Sequence, residues 1–166
     1  DPFAALVGVI TAQQLSTRAA NTIFGRVAVL VGGPDGLTPT RVAGLDPVAL
    51  RAAGLSRPKI TYLHDLAARA LDGRLDLHAL QDLPDDDVIA AITSVKGLGR
   101  WSADMYLLFN LQRPDVWPVG DLGIVKGVQK LLGMKKPPAL RTMERVAEPW
   151  RPYRSVAAWY LWRIHE

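Results

Sequence analysis

Apolar residues recur at three- and four-residue spacing along most of the chain, the period of a helix buried on one face. Phe3, Leu6, Val7, Val9 and Ile10 open a first helical stretch that runs into Gln13-Gln14. Ser16 then stands as an N-cap to a helix carrying Ala19, Ala20, Ile23, Val27 and Leu30. Gly32-Gly33-Pro34-Asp35-Gly36 predicts a loop. Thr38-Pro39 and Asp46-Pro47 each set a capping side chain before a proline at the first helical position. A short helix ends at Gly54. Ser56 caps a longer one with Ile60, Leu63, Leu66, Ala67, Ala70 and Leu71 on one face and Gly73 as its stop. Pro84 and the aspartates 85 to 87 open the next helix with charge that suits its dipole, and Val88, Ile89 and Ile92 are its apolar members.

After the tight turn Val95-Lys96-Gly97-Leu98-Gly99 comes a helix with Trp101, Met105, Leu108 and Phe109. Pro114 and Pro118 bracket an extended link, a helix is expected over about 122 to 132, and Pro137-Pro138 follows. The last helix carries Val156, Trp159, Tyr160 and Trp162 as its apolar side chains. No period-2 alternation lasts long enough for a sheet, so the fold class is all-α.

The 166 residues suit one domain, and 49% hydrophobic content is enough for a core. No apolar run reaches the length of a membrane span. The start, Asp1-Pro2-Phe3, has neither the basic region nor the cleavage site of a signal peptide, and it opens so directly into helix that upstream sequence is expected. These features and an Ala/Arg/Leu/Gly-rich composition point to a bacterial cytoplasm. There are no cysteines, which excludes disulfides, iron–sulfur clusters and thiolate zinc sites. His64, His78 and His165 are scattered, so a zinc site is not expected either. Monomer is the default, since no apolar stripe calls for a partner. The net charge of +4 hints at a polyanionic partner, and its distribution sharpens the hint. Residues 1–94 carry 8 basic and 10 acidic side chains, whereas residues 95–166 carry 12 and 6.

Two places offer chemistry. In the 95–99 turn, two glycines flank one apolar residue, which suits positive φ and close backbone approach. Leu98 can plug between the helices while the amides of Gly97 and Gly99 face outward at a helix start. Such an array binds a phosphate oxygen, and Lys96 and Arg100 add charge. It would hold a nucleic-acid backbone without reading sequence. An ordinary glycine-containing connection satisfies the same residues. The second place is Asp121, after Gly120 and before a helix. It reads as an N-cap, and a carboxylate so fixed can also stabilise a developing positive charge.

Taken together, Val95-Lys96-Gly97-Leu98-Gly99-Arg100-Trp101-Ser102-Ala103 and, about twenty residues on, Trp117-Pro118-Val119-Gly120-Asp121-Leu122-Gly123 resemble the hairpin and the Gly/Pro-rich loop with essential aspartate of the helix-hairpin-helix (HhH-GPD) DNA glycosylases. The chain is most similar to the 3-methyladenine DNA glycosylase II (AlkA-like) branch. Leu6 to Ser16 and Trp150-Arg151-Pro152-Tyr153-Arg154-Ser155 extend the resemblance over nearly the whole chain. Lys96 departs from the proline often found there, and the N-terminal β-rich domain that some members carry is not expected from these residues.

The resemblance implies a two-lobed helical fold: a central lobe over about 16–120, a second lobe from the N-terminal segment and about 121–166, and the active site in the cleft. It implies a monofunctional glycosylase that flips alkylated purines out of duplex DNA and hydrolyses their glycosidic bond. Asp121 would be the catalytic carboxylate. Trp101 stands where bifunctional relatives carry a Schiff-base lysine, so no imine would form. Trp101, Met105, Tyr106 and Trp162 would line the base pocket, with Trp162 favoured over Trp159. Gln13 or Gln14 would enter the duplex in place of the flipped nucleotide. Lys96, Gly97, Leu98, Gly99 and Arg100 would hold the backbone, and Arg154 would support the aspartate or a phosphate. The carbonyls of Thr93, Val95 and Leu98 would hold a sodium or potassium ion. Two alternatives stay open: a non-catalytic helix-hairpin-helix module, and a glycosylase for another lesion class.

Overall fold

The computed structural model describes residues 1–165, with side chains through Ile164. It is all-helical. The helices are α1 (Pro2–Ala12), α2 (Thr17–Leu30), α3 (Pro39–Ala43), α4 (Pro47–Ala53), α5 (Arg57–Leu71), α6 (Asp85–Thr93), α7 (Arg100–Phe109), α8 (Leu122–Leu131), α9 (Leu140–Ala147) and α10 (Arg154–His165). Among the described residues there is no strand, and no helix is long and apolar enough to cross a membrane.

The expected caps form. Ser16, Thr38, Asp46, Ser56 and Asp121 each accept a backbone N–H from the first turn of the following helix, which satisfies donors that no helix can satisfy internally. Gly54 closes α4 in the left-handed conformation, at φ 111°. Helix α9 was not expected from the chain, although Leu140, Met143 and Ala147 carry the helical spacing.

Contacts divide the chain into two compact units, residues 1–106 and 107–166. The boundary therefore falls inside α7 rather than near 120, and α1 belongs to the first unit, packed on α2 and α5. Helix α1 buries Phe3, Leu6, Val7 and Ile10. There α5 is central, touching α1, α3 and α4 and burying Ile60, Leu63, Leu66 and Ala67.

In the second unit the core comprises Trp117, Ile124, Val128, Met143, Ala147, Ala158 and Leu161. Helices α8 and α10 pack closely because Gly127 has no side chain: a Cβ there would sit 2.9 Å from Leu161 Cβ. This close approach reverses the expected polarity of α10. Its buried residues are Ser155, Ala158 and Leu161, whereas Val156, Trp159 and Tyr160 are at least half exposed.

Candidate active site

The link after α7 delivers Asp121 to the start of α8. The Pro118 carbonyl accepts the Asp121 N–H at 2.9 Å, turning the chain just before the helix. Asp121 Oδ1 then accepts two hydrogen bonds, from Ile124 N–H at 2.9 Å and from Trp162 Nε1–H at 2.7 Å. One bond is the helix cap; the other comes from α10. Together they fix the carboxylate in place and in rotamer, as a preorganised electrostatic group requires.

Trp162 is itself held. Its ring stacks on Phe109, with centroids 5.6 Å apart and planes at 18°, and meets Trp159 edge-on at 5.8 Å. Phe109 and Trp159 are each about half exposed. Phe109 was legible only as one apolar residue of α7, and Trp159 as core; both belong to this aromatic group. Trp117, in the link before Asp121, is a core residue whose Nε1–H donates to the Met143 carbonyl at 3.0 Å.

Gly123 was not singled out in the sequence and is required here. A Cβ at this position would lie 2.7 Å from Trp162 Cδ1 and 3.2 Å from Asp121 Oδ1. Gly123→Ala is therefore expected to push the indole off the carboxylate. Tryptophan fluorescence should change and any base release should fall, by about tenfold for the loss of one hydrogen bond to a charged group, while helicity by circular dichroism stays the same.

Arg154 does not take the expected role by contact with Asp121. It pairs with Asp115, Nε to Oδ1 at 2.6 Å and Nη2 to Oδ2 at 2.9 Å, and a further bond runs to the Asp115 carbonyl at 3.0 Å. Arg151 reaches the same carboxylate at 3.1 Å. Next to Arg154, Ser155 Oγ donates to the Arg113 carbonyl at 2.6 Å and accepts Val116 N–H at 2.9 Å. These bonds tie the start of α10 to the link that leads to Asp121.

The Arg154 hydrogen bond holds the Asp115 carboxyl below its ordinary value of 3.8, against a smaller opposing effect of burial. A folded-state pKa below the unfolded one means stability that is complete above about pH 4 and is lost as pH falls through the depressed value. Asp115→Asn is expected to lower the melting temperature at pH 7, and the difference from the unsubstituted protein should shrink below pH 4.

In the first unit the hairpin between α6 and α7 forms as expected. Leu98 is buried and its N–H bonds the Val95 carbonyl at 3.1 Å, while Gly97 and Gly99 are exposed. Only Gly97 needs positive φ, at 76°. Lys96 and Arg100 are exposed. Two groups next to the Gly97 and Gly99 amides are engaged within the fold. The Lys96 N–H bonds Asp65 Oδ2 at 2.9 Å, and the Arg100 Nε pairs with buried Asp104 at 2.8 Å. Burial raises the pKa of Asp104, and the Arg100 pair opposes this.

Trp101 is half-buried near the start of α7, with Met105 one turn on and Tyr106 beside it, both buried. The two glutamines separate. Gln13 is partly buried, its Nε2 donating to the Gly97 carbonyl at 2.8 Å, whereas Gln14 is exposed at φ 57°. Among the described residues no group of three or more His, Asp or Glu could hold a metal. A backbone cation site is a different matter: Val95 donates no side-chain ligand, and its carbonyl, which accepts Leu98 N–H, keeps a second lone pair for an ion.

Residues 7–152 match the HhH-GPD superfamily of base excision DNA repair proteins. The chain belongs to that family. It is 34% identical to the DNA-3-methyladenine glycosylase 1 of Schizosaccharomyces pombe, across 98% of this chain and 72% of the relative. It is 33% identical to the DNA-3-methyladenine glycosylase 2 of Escherichia coli, across 98% of this chain and 57% of the relative, which places it with the AlkA-like branch. A solved structure of the S. pombe 3-methyladenine DNA glycosylase with abasic DNA superposes with a TM-score of 0.91 at 34% identity, covering 98% of this chain and 79% of that one.

Proposed function

We propose that the chain is a monofunctional DNA glycosylase of base excision repair that flips alkylated purines of the 3-methyladenine type out of duplex DNA and hydrolyses their glycosidic bond. The observation that carries the reading is the Asp121 carboxylate, fixed by the α8 N-terminus and by the Trp162 indole. The likeness to relatives named 3-methyladenine DNA glycosylases supports it.

In the reaction the bond between C1′ and the base nitrogen breaks, and its electron pair leaves with the base. A purine alkylated at a ring nitrogen is cationic, so it leaves neutral and needs little help from an acid. The sugar is left with positive charge, which Asp121 stabilises. Water adds at C1′ and loses its proton, to Asp121 or to solvent, which leaves an abasic site. Trp101 offers an aromatic face to the cationic base and no amine to its sugar. Met105 and Tyr106 would contact the base on the side of Trp101, and Trp162 on the side of Asp121. Gln14 fills the gap in the duplex. Gly97, Leu98, Gly99, Lys96 and Arg100 hold the backbone, and a sodium or potassium ion on the Thr93, Val95 and Leu98 carbonyls would add positive charge facing a phosphate. The protein acts as a monomer.

The substrate class is tested by single-turnover release from duplexes that each carry one lesion. Cationic methylpurines are expected to leave faster than neutral hypoxanthine or ethenoadenine. Equal rates, or release of neutral lesions alone, would move the reading to another lesion class.

A further inference from the structure

Both segments expected to meet DNA rest on one face of α5. Lys59, Tyr62 and Asp65 follow one another at three-residue spacing, so they share one side of the helix. Lys59 Nζ donates to the carbonyls of Thr11 at 2.8 Å and Gln13 at 2.7 Å, at the C-terminal end of α1, where a cation suits the helix dipole. The Tyr62 ring lies directly against Gly97, in the space a Cβ would need. Asp65 Oδ2 accepts the Lys96 N–H at 2.9 Å and the Arg69 Nε at 2.8 Å. Gln13 then spans the two segments: its backbone carbonyl is held by Lys59, and its side chain donates to the Gly97 carbonyl at 2.8 Å and lies 3.4 Å from Ser102 Oγ.

We propose that Lys59, Tyr62 and Asp65 of α5, together with Gln13, are positioning residues that lock the Gln14 turn and the Gly97 hairpin into one register, so that gripping the backbone and opening the duplex are coupled. The inference rests on the glycosylase reading. Gln14 sits at φ 57°, a conformation a non-glycine residue keeps only when its surroundings impose it. Lys59 supplies that constraint by pinning the carbonyls just before it. Burial lowers the Lys59 pKa, as befits an ammonium withdrawn from water onto two carbonyls. A glutamine cannot both bond the hairpin and enter the duplex, so Gln13 is the tie and Gln14 the wedge. Fixing the wedge relative to the phosphate grip removes the cost of ordering one after the other has bound.

Amide exchange in the DNA-free protein tests the coupling without reference to activity. Lys59→Met removes bonds to the wedge turn alone. It is expected to speed exchange at Leu15 and, through Gln13, at Leu98 in the hairpin, each by about tenfold for one net hydrogen bond. Gln13→Ala should do the same, and so should Gln13→Glu, which keeps the length but turns a carboxylate toward the Gly97 carbonyl. A second measurement uses 2-aminopurine fluorescence to follow flipping. Gln14→Ala should lower the flipped fraction in the unsubstituted protein, yet add less than about twofold in a Gln13→Ala background, the non-additivity of coupled residues. Unchanged exchange at Leu98 in both variants, or losses that multiply in the double variant, would overturn the proposal. Coupled exchange with no base release from any lesion would leave this mechanical tie standing and sink the enzymatic reading instead.

Discussion

Asp121→Asn is expected to abolish most base release while leaving the protein folded and able to bind DNA. Asparagine is as good an N-cap as aspartate, so the bond from Ile124 N–H survives. Its side-chain oxygen can also keep the Trp162 Nε1–H, which in the unsubstituted protein lies 2.7 Å from Asp121 Oδ1. What disappears is the negative charge that would stabilise the developing cation on the sugar. Loss of one preorganised electrostatic group of this kind costs about a hundredfold to a thousandfold in rate. Single-turnover release, melting temperature and DNA affinity measured together separate the effects. Asp121→Ala should lose a comparable rate and in addition destabilise the protein by about 0.5–2 kcal/mol through the missing cap. Equal damage to stability from Asn and Ala would mean that the position is structural.

The second large effect is expected at the hairpin, where two neighbouring glycines should behave differently. Gly97 has φ 76°, and a Cβ there would run into the Tyr62 ring. Gly97→Ala must therefore shift the turn, at about 1–3 kcal/mol for the strained backbone. The outward amides move with it, and DNA affinity should fall at least about tenfold, the worth of one hydrogen bond to a charged phosphate. At Gly99 an added Cβ meets nothing within 4 Å and the backbone is unstrained. Gly99→Ala should melt like the unsubstituted protein, so any loss of DNA affinity there comes from the methyl standing in the way of the DNA. Thermal melts and equilibrium binding at one fixed salt concentration distinguish the two, because phosphate binding varies steeply with salt.

The local signals carried far. Ser16, Thr38, Asp46, Ser56 and Asp121 announce helix starts because a cap is a bond to the next few residues, and such bonds form whatever the rest of the chain does. The turn at Gly97 and the aspartate at Asp121 were legible for the same reason, and the family resemblance gave them roles. What stayed hidden depends on partners far apart in sequence. Arg154 was expected to support the aspartate or a phosphate, and the carboxylate it pairs with in the fold is Asp115, 39 residues away. The burial pattern of α10 inverted because Gly127 brings α8 against it, and nothing within α10 records that. Gln13 and Gln14 look identical on paper; a bond from Gln13 across 84 residues to Gly97 tells them apart. Nothing in the spacing of Lys59 and Asp65 along α5 marks the carbonyls and the amide that they hold.

The most direct test of the account is base release from methylated duplex DNA, with strand breaks scored before and after alkali. The account predicts that free methylpurines appear and that breaks appear only after alkali, because hydrolysis at C1′ leaves an intact strand with an abasic site. Breaks without alkali, or a covalent adduct trapped by borohydride, would contradict a monofunctional mechanism built on Asp121. Intact DNA binding with no base released from any alkylated substrate would contradict the enzymatic reading altogether and leave a helix-hairpin-helix DNA-binding module.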